Sequence, residues 1–167
     1  MEFFDVLESR RSVRAYKSDA VEKEKLDRVL RAAQVAPTAC NLQPWRITVL
    51  PTQGRQEDLG KVYRGPWLAQ APLVLCVSAL PDKAWRRRDG KNYADVDASI
   101  VADHLILAAA ALGLGSCWIG AFDTAAAKTV FQLEPGWEPI ALAPLGYPAE
   151  EPEARPRQEL EELVKYL

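Results

Sequence analysis

The stretch Arg10-Arg11-Ser12-Val13-Arg14 gathers three guanidinium groups and a hydroxyl within five residues, directly after the apolar Phe3, Phe4, Val6 and Leu7. Together these residue types make an anion receptor. Guanidinium forks match phosphate oxygens two at a time, and a serine hydroxyl adds a neutral donor. In an extended segment positions 10, 12 and 14 point to one side, so two cations flank the hydroxyl. A solvated basic turn is the competing reading of the same residues.

Two further stretches carry groups suited to holding a ligand. Ala36 to Trp45 is a loop bounded by Pro37 and Pro44, supplied with donors by Thr38, Asn41 and Gln43 and ending on an indole. Proline pre-sets φ, so such a loop has less entropy to lose on binding. A plain helix-to-strand connection needs neither the amide pair nor the tryptophan. Gly113 to Asp123 carries Gly115, Gly120 and Ala121, small residues that permit close backbone approach to a flat ligand.

Other chemistries lack their residues. The 167-residue chain has one histidine and three widely spaced cysteines, so zinc sites and histidine triads start at a disadvantage. His104 lies in line with Ile100, Leu107 and Ala108, as a satisfied core histidine would. Cys76 sits inside an apolar run and reads as a small core hydrophobe. Cys117 has no adjacent base to make it a nucleophile. No phosphate-loop or dinucleotide fingerprint follows a strand. Arg86-Arg87-Arg88, with Trp85 and Tyr93 nearby, reads as a solvated loop or a lid rather than a nucleic-acid surface.

Apolar residues make up 49% and charged residues 26%, with a net charge of −2, as expected of a soluble globular protein. No global field recruits nucleic acid, so any anion site must be local. Free thiols and the absence of a targeting or membrane-spanning stretch indicate a cytoplasmic protein with residues 1–167 as one domain.

The elements that must position these groups follow from periodicity. Residues 2–9 form a short helix with Phe3, Phe4 and Leu7 on one side. Residues 22–35 form a second, with Leu26, Val29, Leu30 and Ala33 in one stripe and Pro37 as its stop. Residues 47–50 are a strand, 53–63 a surface helix and 65–71 a short helical piece. Residues 73–80 are a strand covered on both faces. The helix over 95–113 is apolar on every side from Leu105 onward, so it is buried all round or shared with a partner, and Gly113 caps it. Asp123 caps a short helix to about 132, and 138–148 hold a last strand and turn. An extended tail over 149–157 precedes a short amphipathic end.

Four of these stretches, in this order and spacing, resemble the short members of the nitroreductase family of FMN-dependent oxidoreductases. They are Arg10–Arg14, Ala36–Trp45, Leu112–Phe122, and Leu145-Gly146-Tyr147-Pro148 followed by Arg155-Pro156-Arg157. The resemblance covers nearly the whole chain. It implies an α+β fold, a mostly antiparallel central sheet flanked by helices, in an intertwined homodimer with FMN at the subunit interface. It also implies that Arg10, Arg11, Ser12, Arg14, Arg155 and Arg157 surround the FMN phosphate and ribityl chain. Pro37, Thr38, Asn41 and Gln43 match a loop lent by the other subunit, and Trp118, Ile119 and Gly120 match backbone lying against the isoalloxazine. Thr38 stands where the family commonly has serine, which keeps the hydroxyl.

The activity implied is hydride transfer from NADH or NADPH to the flavin N5, followed by reduction of a nitroaromatic, quinone or similar small acceptor over the same face. No protein residue need then be strictly catalytic, and no metal is required. A specialised acceptor chemistry (dehalogenation or flavin fragmentation), a flavin-binding sensor and a flavin-free phosphate-binding module are the alternative readings.

Overall fold

Leu73–Ala79 alternates its apolar side chains between two separate cores, and the rest of the fold is arranged around it. This strand, β2, lies between β1 (Trp45–Pro51) and β4 (Glu138–Gly146), with the two-residue β3 (Gly115–Ser116) at the β4 edge, and every pair is antiparallel. The computed structural model describes residues 2–167. Leu75, Val77 and Ala79 of β2 pack with Ala141, Ala143 and Leu145 of β4 against α2 (Lys23–Gln34) and α4 (Ala94–Ala111). Val74 and Cys76 pack with Leu142 on the opposite face against α3 (Gln56–Val62) and α5 (Thr124–Val130). Helices therefore cover both faces, which is why the run is hydrophobic without alternation. The α+β class, the antiparallel sheet and the flanking helices are those that the family resemblance implies.

Local signals hold at several boundaries. Val29 and Ala33 of α2 are buried, with Leu26 and Leu30 packed beside them. Gly113 follows α4 at φ +74°, the left-handed residue that ends a helix. Asp123 caps α5 by accepting the Ala126 N–H at 2.8 Å.

Three expectations need correction, and the side that α1 buries is decided by the fold. In α1 (Phe3–Ser9) the buried residue is Val6, and the stripe of Phe3, Phe4 and Leu7 faces outward. Two turns of helix can bury only a narrow face, and Val6 takes it. The helix α3 is not merely on the surface, because Leu59 and Val62 enter the second core. His104 is only half-buried, and its Nδ1 lies 3.0 Å from the carbonyl oxygen of Ile100. Gly115 makes room for protein rather than for a ligand: a Cβ there would stand 3.0 Å from Val13.

Burial separates the thiols. Cys76 and Cys117 are buried and Cys40 is exposed. Desolvation pushes the Cys76 thiol up to about 12, far from the thiolate that reacts with disulfide reagents. Ellman's reagent at pH 8 is expected to titrate no more than one thiol in the native protein and all three after denaturation. Two or more fast native thiols would contradict this packing.

Candidate functional site

Both ends of the chain meet at one concave surface. Arg10, Arg11, Ser12 and Arg14 line a cavity of about 910 Å³ together with Arg155, Pro156 and Arg157; Leu7, Glu8 and residues 152–154 complete its wall. Five guanidinium groups therefore face two carboxylates, Glu8 and Glu153. None of the five forms an ion pair among the described residues. Arg11 is engaged by carbonyls, donating from Nη1 to Glu8 O at 2.5 Å and to Arg10 O at 3.0 Å. The Arg14 guanidinium lies 5.9 Å from the Trp67 ring centroid. Five positive against two negative side chains leave an excess of positive charge that a bound anion would offset.

The arginine stretch is held in place by the sheet. The helix α1 closes when the Arg10 N–H donates to Val6 O at 3.0 Å. Ser12 bridges Ser116 of β3 in parallel, and the Val13 N–H donates to Ser116 O at 2.9 Å. Val13 then inserts beside Tyr16, Ala71 and Trp67, using the space that Gly115 leaves. With Val13 turned inward, Ser12 and Arg14 are turned toward the cavity. Tyr16 donates its hydroxyl to Val13 O at 2.6 Å, and burial raises the phenol well above its usual range, so it stays a neutral donor. Farther along, the Lys17 N–H donates to Tyr147 O and the Ala149 N–H to Ala15 O, both at 2.9 Å. The Glu150 carboxylate accepts the backbone N–H of Arg14. These bonds bring the segment carrying Arg155 and Arg157 beside the one carrying Arg10 and Arg14.

The loop residues Pro37, Thr38, Asn41 and Gln43 do not line this cavity. They occupy the connection from α2 to β1, which is far from a plain linker. Cys40, Asn41 and Gln43 adopt φ of 52°, 54° and 49°. Left-handed backbone at non-glycine residues costs on the order of 1 kcal/mol or more each unless the surroundings impose it. Within the loop, the Gln43 N–H donates to Thr38 Oγ1 at 3.2 Å and Gln43 Nε2 donates to Asn41 Oδ1 at 3.0 Å. From outside the loop, Asp97 Oδ1 accepts the Ala39 N–H at 2.9 Å.

Asp97 is the residue that sequence reasoning passes over. It is only 1% exposed, on the buried stripe of α4 with Ala94, Val101 and Leu105. The signal was available: an acid four and eight residues before Val101 and Leu105 falls on the apolar face of its helix. An unexplained buried carboxylate asks for a partner.

The third group, Trp118, Ile119 and Gly120, follows β3. Ile119 is buried and exchanges both backbone bonds with Leu142, at 2.9 and 3.0 Å. Its neighbours' N–H groups therefore point away from that strand. Trp118 is 39% exposed, and a Cβ on Gly120 would meet only the Trp118 indole nitrogen at 3.8 Å. The basic hairpin over 85–93 is partly neutralised, since Arg87 donates to Asp89 and holds its carboxyl below the usual range.

A phosphate monoester fits the arginine cavity, because uncommitted guanidinium forks and a hydroxyl match its charge and its acceptor oxygens.

Comparison with known proteins places this arrangement in context. The model of the nitroreductase family matches residues 7–64 and 54–147. The crystal structure of a nitroreductase family protein from Clostridium difficile superposes with a TM-score of 0.90 at 38% identity, covering 99% of this chain and 98% of that one. An NADH dehydrogenase of Thermus thermophilus is 31% identical over 93% of this chain and 91% of its own length. An FMN reductase [NAD(P)H] of Bacillus subtilis is 30% identical over 90% of this chain and 68% of its own.

Proposed function

The chain belongs to the nitroreductase family, and from that premise we propose that it is an FMN-dependent NAD(P)H oxidoreductase. Residues 1–167 act as one cofactor-binding domain and pair as a homodimer. The reaction reduces nitroaromatic, quinone or similar small acceptors, with nicotinamide and acceptor using the same face in turn. The observation that carries this reading is the cavity where Arg10, Arg14, Arg155 and Arg157 meet without ion-pair partners among the described residues.

When bound, FMN supplies a carrier that takes up hydride from reduced nicotinamide and passes the electrons on. The protein binds, orients and screens. Arg10, Arg14, Arg155 and Arg157 hold the phosphate, Ser12 donates its hydroxyl, and Arg11 fixes the end of α1 while adding charge. The outward N–H groups beside Ile119 stabilise negative charge on the ring system, with Trp118 and Gly120 forming the surface against it.

Two observations support a second subunit. Pro37, Thr38, Asn41 and Gln43 lie outside the arginine cavity of their own chain, which leaves them available to the site of a second chain, as the family resemblance implies. Phe3, Phe4, Leu7, Leu160, Leu163 and Leu167 are exposed, an apolar surface that an isolated chain leaves wet. Among the described residues no helix is long and apolar enough to cross a membrane, and three free thiols suit a reducing cytoplasm.

Anaerobic mixing tests the reading. The purified protein is expected to be yellow, or to become so with added FMN. NADH or NADPH should bleach it, and a nitroaromatic or quinone should restore the colour. A colourless protein that cannot be reconstituted, or a yellow one that neither nucleotide bleaches, would overturn the proposal.

A further inference from the structure

We infer that Asp97, which the arginine cavity does not contain, is a positioning residue: its buried carboxylate holds the Thr38–Gln43 loop in the conformation that receives FMN. The inference rests on the reading of that loop as part of the cofactor site.

The loop cannot keep its shape by local preference. Three non-glycine residues within four positions are left-handed, and only asparagine among them tolerates that region readily. The bonds between Thr38, Asn41 and Gln43 lie within the loop, so they move with it and cannot orient it against the fold. Asp97 can. It stands in the first turn of α4, a helix packed on both α2 and the sheet, and it grips the loop at Ala39, one residue before the left-handed run.

Its burial argues for a role beyond packing. One carboxylate oxygen accepts the Ala39 N–H, and the other, Oδ2, is buried without a hydrogen-bond partner among the described residues. Leaving half of a buried carboxylate unpaired lowers stability, and an alanine or serine would fill the stripe more cheaply. A charged acceptor makes the stronger bond to a backbone N–H. The geometry thus trades stability for a loop anchored from the core, and the anchored residues are those that match the flavin-facing loop.

The test compares four proteins by FMN titration, amide exchange and melting temperature. Asp97→Ala is expected to weaken FMN binding by about 10- to 100-fold, the range of a lost charge-assisted hydrogen bond. The Ala39 amide should lose its protection in the flavin-free protein. Asp97→Asn retains an acceptor oxygen of the same reach without the charge and should fall between wild type and the alanine variant. Val101→Ala, one turn along on the same buried stripe, should lower the melting temperature while leaving FMN affinity and Ala39 protection intact. Where Asp97→Ala does not accumulate folded, Asp97→Ser takes its place, since its hydroxyl is too short to reach Ala39. Full FMN affinity in the alanine or serine variant with an unprotected Ala39 amide would overturn the positioning role alone. An equal loss of affinity in Val101→Ala would overturn it too, by showing that any core defect suffices. A wild-type protein that binds no FMN would overturn the functional reading as well, while the exchange data still report whether Asp97 holds the loop.

Discussion

Replacing Arg10 and Arg14 together with alanine is expected to lower FMN affinity by about 100-fold or more, as a charge-assisted hydrogen bond is worth roughly 10- to 100-fold each. The effect should be on binding and not on folding. Neither side chain belongs to a core cluster or an ion pair among the described residues, and Val13 carries the packing of the segment. Fluorescence titration of FMN into flavin-free protein measures it. The paired lysine variant should fall between, because an ammonium keeps the charge and loses the two-pronged fork. Arg11→Ala should act differently. Its guanidinium is engaged with the carbonyls of Glu8 and Arg10, so its loss should loosen the end of α1 and cost less affinity. Undiminished flavin retention in the Arg10/Arg14 double variant would remove the central support for a phosphate clamp.

A chain ending at Glu153 should lose both the cofactor and the proposed dimer. The missing part carries Arg155 and Arg157, along with Leu160, Leu163, Val164, Tyr166 and Leu167, all exposed in the single chain. A group of exposed apolar side chains marks an interaction surface, and a second copy is the cover that the proposed function requires. The bond from the Arg14 N–H to Glu150 remains, so the remaining half of the clamp keeps its shape. Size-exclusion chromatography with light scattering should find a monomer, and the truncated protein should be colourless. The full-length Arg155→Ala/Arg157→Ala variant separates the two losses: it should stay dimeric while releasing flavin. A truncated chain that remains a yellow dimer would dismiss the tail from both roles.

The fate of particular residues separates what was legible in the sequence from what was not. The Arg10–Arg14 stretch and the proline-bounded loop could be chosen from residue type and spacing, whereas the pair at Arg155 and Arg157 was singled out only by the family resemblance. Guanidinium chemistry and proline stereochemistry are properties of the residues themselves. The continuous run over 73–80 announced a strand buried on both faces, because only such a strand dispenses with alternation. Gly113 and Asp123 announced helix ends, because backbone N–H and carbonyl groups there need local partners.

The meeting of Arg10 with Arg155 was settled only by the tertiary structure. It depends on Ser12 docking against Ser116 and on Ala149 donating to Ala15, pairings between segments far apart along the chain. The same holds for Val13 entering the space beside Gly115, which local reasoning reserved for a ligand. Phe3, Phe4 and Leu7 could be recognised as one stripe, but whether the stripe turned inward depended on what α4 could cover. Asp97 is the sharpest case. Its place on an apolar face is readable, but its partner Ala39 is 58 residues away. Local sequence determined the kinds of groups present and the helices and strands that carry them. Which groups share a site was decided by the tertiary structure, because hydrogen bonds and close packing act across space between residues whose separation along the chain carries no signal of their approach.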